Sequence, residues 1–284
     1  GVTLHLSLHS ERQPVQDVAA LYLVEPSAEN VQRIARDCSA GLYDSMYLNW
    51  SSSISQEQLH SLAAAVAESD GAQRVLKVVD QYMDFISLDH SLFSLNMADS
   101  FVALNDPQVS DADMERTMAK LVNSLFSVVV TLGVLPYISC PSGGAAGMVG
   151  DALNAKLSEH VRSTNNLFKD QAFGSSHSRP VLILCERQMD LSVPLHHPWT
   201  YEAMLHDILG MHLNKVTVTE PATDGASSRK PARVYDLSIT DPIWVDNSGR
   251  AFPEVTDDIE ERLAGWKSEY DNISNSSAQE DPMA

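Results

Sequence analysis

Asp17-Val-Ala-Ala-Leu-Tyr-Leu-Val-Glu-Pro-Ser-Ala-Glu-Asn-Val31 is the stretch on which the fold turns. Ala19 to Val24 is a short, almost wholly apolar run stopped by Glu25-Pro26, the pattern of a buried parallel strand. Ser27 is placed to cap a helix, and apolar residues then recur at Val31, Ile34 and Ala35 on one helical face. Strand followed at once by helix is the unit from which parallel sheets are built.

The same alternation continues outward. Asp44 to Asn49 reads as the next strand, and Gln56 to Ala67 as a strong Ala- and Leu-rich helix capped by Ser55. Ala72 to Val79 is a second periodic stretch, and Phe85-Ile86 is strand-like. A second unit begins near Ser100. Its expected elements are a strand at Phe101 to Leu104, a helix from a capping Asp111 to about Thr131, and a strand at Val134 to Ile138. A helix at Gly144 to His160, a polar loop at 163–178 and a buried strand at Pro180 to Cys185 follow. Beyond them come a helix at Thr200 to Leu209, a strand at Val216 to Val218, a loop at 223–231 and a β-rich stretch from Arg233 to Val245. A charged helix is expected over Asp257 to Tyr270, with the last dozen residues disordered. The fold class is α/β with a parallel sheet.

Composition removes whole classes of function. Nineteen Lys and Arg against 38 Asp and Glu give a net charge of −19 over 284 residues. Neutralising phosphates needs a basic face, so nucleic acid is excluded as a partner and direct attraction to anionic lipid is disfavoured. With 44% hydrophobic residues the chain has enough apolar content for a core. No run of about 18 apolar residues is present to span a bilayer. Residues 1–9 lack the charged start and cleavage site of a secretory leader. The three cysteines, Cys38, Cys140 and Cys185, are odd in number and widely spaced, as expected of reduced thiols inside a cell. Both ends of the chain read as cut, so a piece of a longer protein is expected.

Several constellations tempt a chemical reading. Pro141-Ser-Gly-Gly-Ala-Ala-Gly147 lies between a strand and a helix, where a phosphate-cradling loop belongs. Its spacing is neither GxGxxG nor a P-loop, and tight packing explains the glycines as well. A nucleotide-binding enzyme using residues 142–147 is the alternative function. His196, His197, His206 and His212 match no closed zinc site. Glu186 and Arg187 follow a strand end and read as a structural ion pair. No nucleophile elbow is present, so no catalytic residue, metal ligand or cofactor is assigned. On the Gln56–Ala67 helix, Leu59, Leu62, Ala63 and Val66 share a face, and Val75 and Val78 lie three apart in the next element. That stripe is either core or a shallow groove for a partner's anchor residue.

Residues 17–31 resemble the first-domain signature of the SM (Sec/Munc) family of SNARE regulators. Asp80-Gln-Tyr-Met-Asp-Phe85, Phe93-Ser-Leu, Leu104-Asn-Asp-Pro107 and Cys140-Pro-Ser-Gly-Gly144 continue the likeness. It is strongest over Pro180-Val-Leu-Ile-Leu-Cys-Glu-Arg-Gln-Met-Asp-Leu-Ser-Val-Pro-Leu-His-His-Pro-Trp-Thr-Tyr201 with His206-Asp207. The family has Asp-Arg where this chain has Glu186-Arg187, and its members are about twice as long. In detail the chain resembles the Sly branch, which acts between ER and Golgi.

The resemblance implies a parallel-sheet domain 1 over 1–96, an incomplete mixed α/β domain 2 over 97–252, and the start of a helical domain 3 over 253–284. It implies a non-enzymatic chaperone of SNARE assembly, cytoplasmic and held at ER and Golgi membranes through SNAREs, without inserting in them. The implied partner is an ER–Golgi syntaxin and its SNARE complex. The syntaxin's N-terminal peptide places an aromatic side chain in a pocket that falls on Leu59, Leu62, Ala63, Val75 and Val78. On this expectation Leu62→Lys abolishes peptide binding and leaves the fold intact.

Overall fold

The structure is a computed structural model that describes residues 2, 4–68, 71–163, 166–168, 179–219 and 232–279, with side chains described as far as 273. The expected loops at 163–178 and 223–231 lie mostly outside the described residues. The chain divides into two compact units, Gly1–Ser87 with Phe93–Met189, and Leu88–Leu92 with the residues from Asp190 onward.

The first unit opens on a parallel three-stranded sheet of β1 (Ala19–Val24), β2 (Ser45–Trp50) and β3 (Val75–Asp80), in that order. Helix α1 (Ala28–Ala40) connects the first two strands and α2 (Gln56–Glu68) the next two. The Ser27 hydroxyl accepts the Asn30 N–H at 3.2 Å to start α1, and Gly41 ends it in the left-handed conformation at φ +63°. Ile34 and Cys38 of α1, Met46, Leu48 and Trp50 of β2, and Leu62 and Val66 of α2 form one buried core. Only one sheet face contributes to it. Tyr22 is buried, while Leu21 and Leu23 are 71% and 55% exposed, so β1 alternates instead of being covered on both faces as its apolar run predicts.

The periodic stretch at 72–79 is a single 3-10 turn, Ala72–Arg74, running into strand β3. Its three-residue apolar spacing arises from an irregularity. Met46 pairs with Val75 but Tyr47 pairs with Lys77, which leaves Leu76 as an extra residue. Val75 opposite Met46 and Val78 opposite Leu48 therefore lie on the same, helix-covered face.

A second core follows in the same unit, after a small antiparallel pair of β4 (Ile86–Ser87) and β5 (Phe93–Ser94). Phe101 to Leu104 lies in helix α3 (Ser100–Asn105), not a strand. Four apolar residues are too few to carry a period, and the Asn105 side chain donates back to the Phe101 carbonyl at 2.8 Å. Helix α4 (Asp111–Leu132) is capped by Ser110 and not by Asp111: the Ser110 hydroxyl accepts the Asp113 N–H and donates to its carboxylate. Helix α5 (Gly144–Arg162) packs on α4 through Leu125, Phe126 and Val129 against Val149, Leu153 and Leu157. Strand β6 (Tyr137–Ser139), shorter than expected, pairs in parallel with β7 (Val181–Ile183). The expected buried strand at 180–185 is covered on one side only. Val181 and Ile183 are exposed, and Leu182 and Leu184 pack on the second core.

The second unit holds α6 (Tyr201–Leu209), the antiparallel pair β8 (Lys215–Val218) and β9 (Arg233–Asp236), α7 (Pro242–Asn247) and α8 (Phe252–Gln279). The β-rich reading of 233–245 fails after Asp236. The Asp241 carboxylate accepts the N–H groups of Ile243 and Trp244 and, with Pro242 in the first turn, starts a helix there. Helix α8 is longer than the sequence predicts and runs through residues 273–279, where disorder was expected.

Candidate functional site

The residues around α2 and β3 form the candidate site. Ser55 starts α2 with a reciprocal cap: its hydroxyl accepts the Gln58 N–H at 3.1 Å while the Gln58 side chain accepts the Ser55 N–H at 3.2 Å. The Gln58 amide also donates to the Pro26 carbonyl at 2.8 Å, which ties the helix start to the turn after β1. The structure splits the five predicted residues. Leu62 is 4% exposed and belongs to the core, and Val75 packs against that core. Leu59 and Val78 are 39% and 41% exposed, and Ala63 is exposed. All five lie on α2 or on the helix-covered face of β3. Because Leu62 is core, Leu62→Lys places a charge among Ile34, Leu48 and Val66 and damages the fold, contrary to the sequence expectation.

Asp80, at the end of β3, is a residue of this region that the sequence reading left without a role. Its carboxylate accepts the Ser53 hydroxyl at 3.2 Å and the Ile54 N–H at 3.4 Å, anchoring the turn that leads into α2. Burial pushes this carboxyl up from its ordinary value, and the two hydrogen bonds pull against that rise. The only signal in the sequence was its position at the head of Asp80-Gln-Tyr-Met-Asp-Phe85.

The glycine turn before α5 is already filled. Glu186 reaches it from the loop after β7 and accepts the Ala146 N–H at 3.2 Å. Its other oxygen accepts the Gln188 amide at 2.7 Å. The expected Glu186–Arg187 ion pair is thus replaced by a carboxylate at a helix N-terminus, where the helix dipole favours negative charge. Gly144 has φ +67°, and a Cβ there would lie 2.0 Å from Glu186 Oε1. A Cβ at Gly147 would lie 2.8 Å from the Pro141 carbonyl oxygen. Gly144 thus serves close packing against the chain's own carboxylate, and Gly147 close packing of the turn on its own backbone. Among the histidines, His197 Nδ1 lies 2.7 Å from Asp207 Oδ2, and among the described residues no three His, Cys, Asp or Glu side chains are grouped as metal ligands.

Residues 1–282 match the family model described as the Sec1 family. The chain belongs to the Sec1 family. This Sec1-family chain is 43% identical over 275 residues to the rice (Oryza sativa subsp. japonica) SEC1 family transport protein SLY1. It is 40% identical over 287 residues to human Sec1 family domain-containing protein 1. Each alignment takes in 96% of the chain but only 42% and 45% of the relative, so the chain spans less than half the length of the curated relatives it matches. Among solved structures it superposes on Sly1p in complex with an N-terminal peptide of Sed5p. The TM-score is 0.79 at 30% identity, covering 95% of this chain and 42% of that one. The α/β architecture with a parallel sheet is therefore the SM-protein architecture, and within the family this chain resembles the Sly proteins.

Proposed function

We propose that the chain is a non-enzymatic regulator of SNARE assembly in ER–Golgi vesicle transport, and that it binds the N-terminal peptide of a syntaxin. The observation that carries this reading is the superposition on Sly1p, whose structure holds a Sed5p N-terminal peptide. The proposed pocket lies beside α2 and β3, with Leu62 and Val75 as its floor and Leu59, Ala63 and Val78 as its accessible rim. On this reading the small side chain of Ala63, which is exposed, leaves room for the peptide's aromatic group. Burying a peptide Phe there contributes about 1.5–3 kcal/mol before ordering costs. On this reading attachment to ER and Golgi membranes runs through SNAREs, in keeping with a net charge of −19 and with the fact that no helix among the described residues is long and apolar enough to cross a membrane. The division into domain 1 (1–96), domain 2 (97–252) and the start of domain 3 (253–284) is part of the same proposal.

Calorimetric titration with the N-terminal peptide of an ER–Golgi syntaxin tests the reading. Binding that is lost in Ala63→Glu, with the melting temperature unchanged, supports it; no heat from the unmodified chain at high micromolar peptide rejects it. The alternative, a nucleotide-binding enzyme using residues 142–147, is disfavoured by Glu186. A phosphate at the α5 N-terminus would have to displace that carboxylate or sit against it. Thermal-shift measurements with nucleotides and Mg²⁺ are expected to show no stabilisation.

A further inference from the structure

The row of β3 that faces α2 ends on a carboxylate. Val75, Val78 and Asp80 pair with Met46, Leu48 and Trp50 of β2, all three of them in the first core. Asp80 therefore continues the helix-covered row that holds Val75 and Val78. The pairing of the two strands carries on past it. The Gln81 N–H donates to the Trp50 carbonyl at 2.8 Å and the Met83 N–H to the Ser51 carbonyl at 2.6 Å. The Ser51 hydroxyl donates to Asp84 at 3.3 Å. Residues 80–84 thus run beside residues 50–54, the connection from β2 to α2.

Asp80 grips that connection just before the helix begins. One of its oxygens accepts the Ser53 hydroxyl and the other the Ile54 N–H, immediately ahead of the Ser55 cap. Gln58 ties the same helix start toward β1 through the Pro26 carbonyl, so Asp80 supplies the tie toward β3. Leu59 and Ala63 follow Ser55 by about one and two turns of helix. Leu62 and Val66 hold the body of α2 in the core independently of this turn. Loss of the Asp80 bonds therefore frees the helix start more than it destabilises the fold. Burial also makes the carboxylate costly to keep charged, and removing that cost offsets part of the lost hydrogen bonding.

We infer, on the footing of the proposed peptide site, that Asp80 is its positioning residue: bonded to Ser53 and Ile54, it holds the start of α2 at a fixed spacing from β3 and so keeps Leu59 and Ala63 set against Val78. A site assembled only part of the time binds more weakly in proportion. A helix start correctly placed about a tenth of the time lowers affinity about tenfold.

Calorimetric titration of the whole chain with the N-terminal peptide of an ER–Golgi syntaxin, alongside amide hydrogen exchange without peptide, tests this. Asp80→Ala is expected to weaken binding about tenfold with a melting temperature close to that of the unmodified chain. It also speeds exchange at Ile54 and in the first turn of α2. Asp80→Asn restores both, because its amide accepts the Ile54 N–H and donates to the Ser53 hydroxyl oxygen. Ser53→Ala, at an exposed position, removes one of the two bonds and gives an intermediate affinity, which decides the matter if Asp80→Ala does not fold. Peptide binding that Asp80→Ala or Ser53→Ala leaves unchanged overturns the positioning role and leaves the peptide site standing. Unchanged exchange at Ile54 in Asp80→Ala does the same. An Asp80→Asn variant as weak as Asp80→Ala also overturns it, since the carboxylate then contacts the peptide itself. No binding by the unmodified chain rejects the site, and the positioning role with it.

Discussion

Asp37 Oδ2 lies 2.7 Å from Arg12 Nη2, and the two side chains are only 3% and 4% exposed. The same oxygen accepts the Tyr22 hydroxyl at 3.0 Å, and Arg12 also donates to the Leu8 carbonyl. Burial and the neighbouring Asp37 carboxylate push the Tyr22 phenol well up from its ordinary value, so it remains a donor. One carboxylate thus holds the segment before β1, strand β1 itself and helix α1 to a single point. Removing it leaves a buried guanidinium without its counter-charge. Asp37→Asn is expected to destabilise the chain by about 3–5 kcal/mol in chemical denaturation. Replacing both partners, Arg12→Met with Asp37→Leu, recovers much of that loss if the orphaned charge is the cause. A double variant as unstable as the single one points instead to lost packing.

Cys38 sits in the first core with its thiol directed at Met46 Sδ, 3.4 Å away. Burial first, and then the neighbouring Asp37 carboxylate, push the thiol up to about 11. Cys140 and Cys185 are exposed. A thiol-reactive reagent at neutral pH is expected to modify Cys140 and Cys185 quickly and Cys38 only on unfolding. Mass spectrometry that finds Cys38 labelled in the folded chain contradicts the packing described here.

The parts of the fold that were legible in the sequence are those where local signals and tertiary packing agree. Ser27 and Ser55 were readable as caps because each is followed at once by a periodic helix. The β3 segment was not, because the extra residue at Leu76 gives a strand the three-residue spacing of a helix. That irregularity also returns Val75 and Val78 to one sheet face, so the stripe read from their three-residue spacing survives on a strand. Helix α7 was hidden by β-favouring Ile243, Trp244 and Val245, although Asp241-Pro242 announced a helix start. The site was harder to read than the fold. Spacing showed that Leu59, Leu62 and Ala63 share a face, but not that Leu62 is sealed while Ala63 is open. Glu186 was misjudged because its partner, the Ala146 N–H, is 40 residues away in sequence.

His160 ties the second core to acid sensitivity. Its ring meets Phe126 and Phe168 edge-on at 5.4 and 6.1 Å, and its Nε2 accepts the Leu167 N–H at 3.2 Å. Burial, with a smaller contribution from the nearby Lys156 ammonium, holds its pKa below the ordinary 6.5. Protonation would also turn the Nε2 acceptor into a donor facing another N–H. A depressed histidine pKa means the unfolded chain binds more protons below about pH 6.5, so this contribution is complete above that pH and declines on acidification. His160→Gln is expected to flatten the fall in stability between about pH 7 and 5 relative to the unmodified chain. Parallel pH profiles for the two proteins rule out His160 as the source.

The proposed peptide site separates into two kinds of residue, and substitutions are expected to divide the same way. Leu62→Ala removes a core side chain and costs about 2–5 kcal/mol of stability, because the packing around Ile34 and Leu48 closes only in part. Its effect on peptide affinity is inseparable from that loss. Ala63→Glu and Val78→Asp instead change side chains that reach solvent, so the fold tolerates them while the proposed rim becomes charged and crowded. Each is expected to weaken binding of a syntaxin N-terminal peptide by at least about tenfold, equivalent to 1.4 kcal/mol, with thermal midpoints close to that of the unmodified chain. The two exposed positions lie on different elements, α2 and β3. Loss of affinity in one variant but not the other therefore moves the binding surface onto the sensitive element alone. If both variants bind as well as the unmodified chain, the peptide docks elsewhere and the floor-and-rim description of this site is wrong.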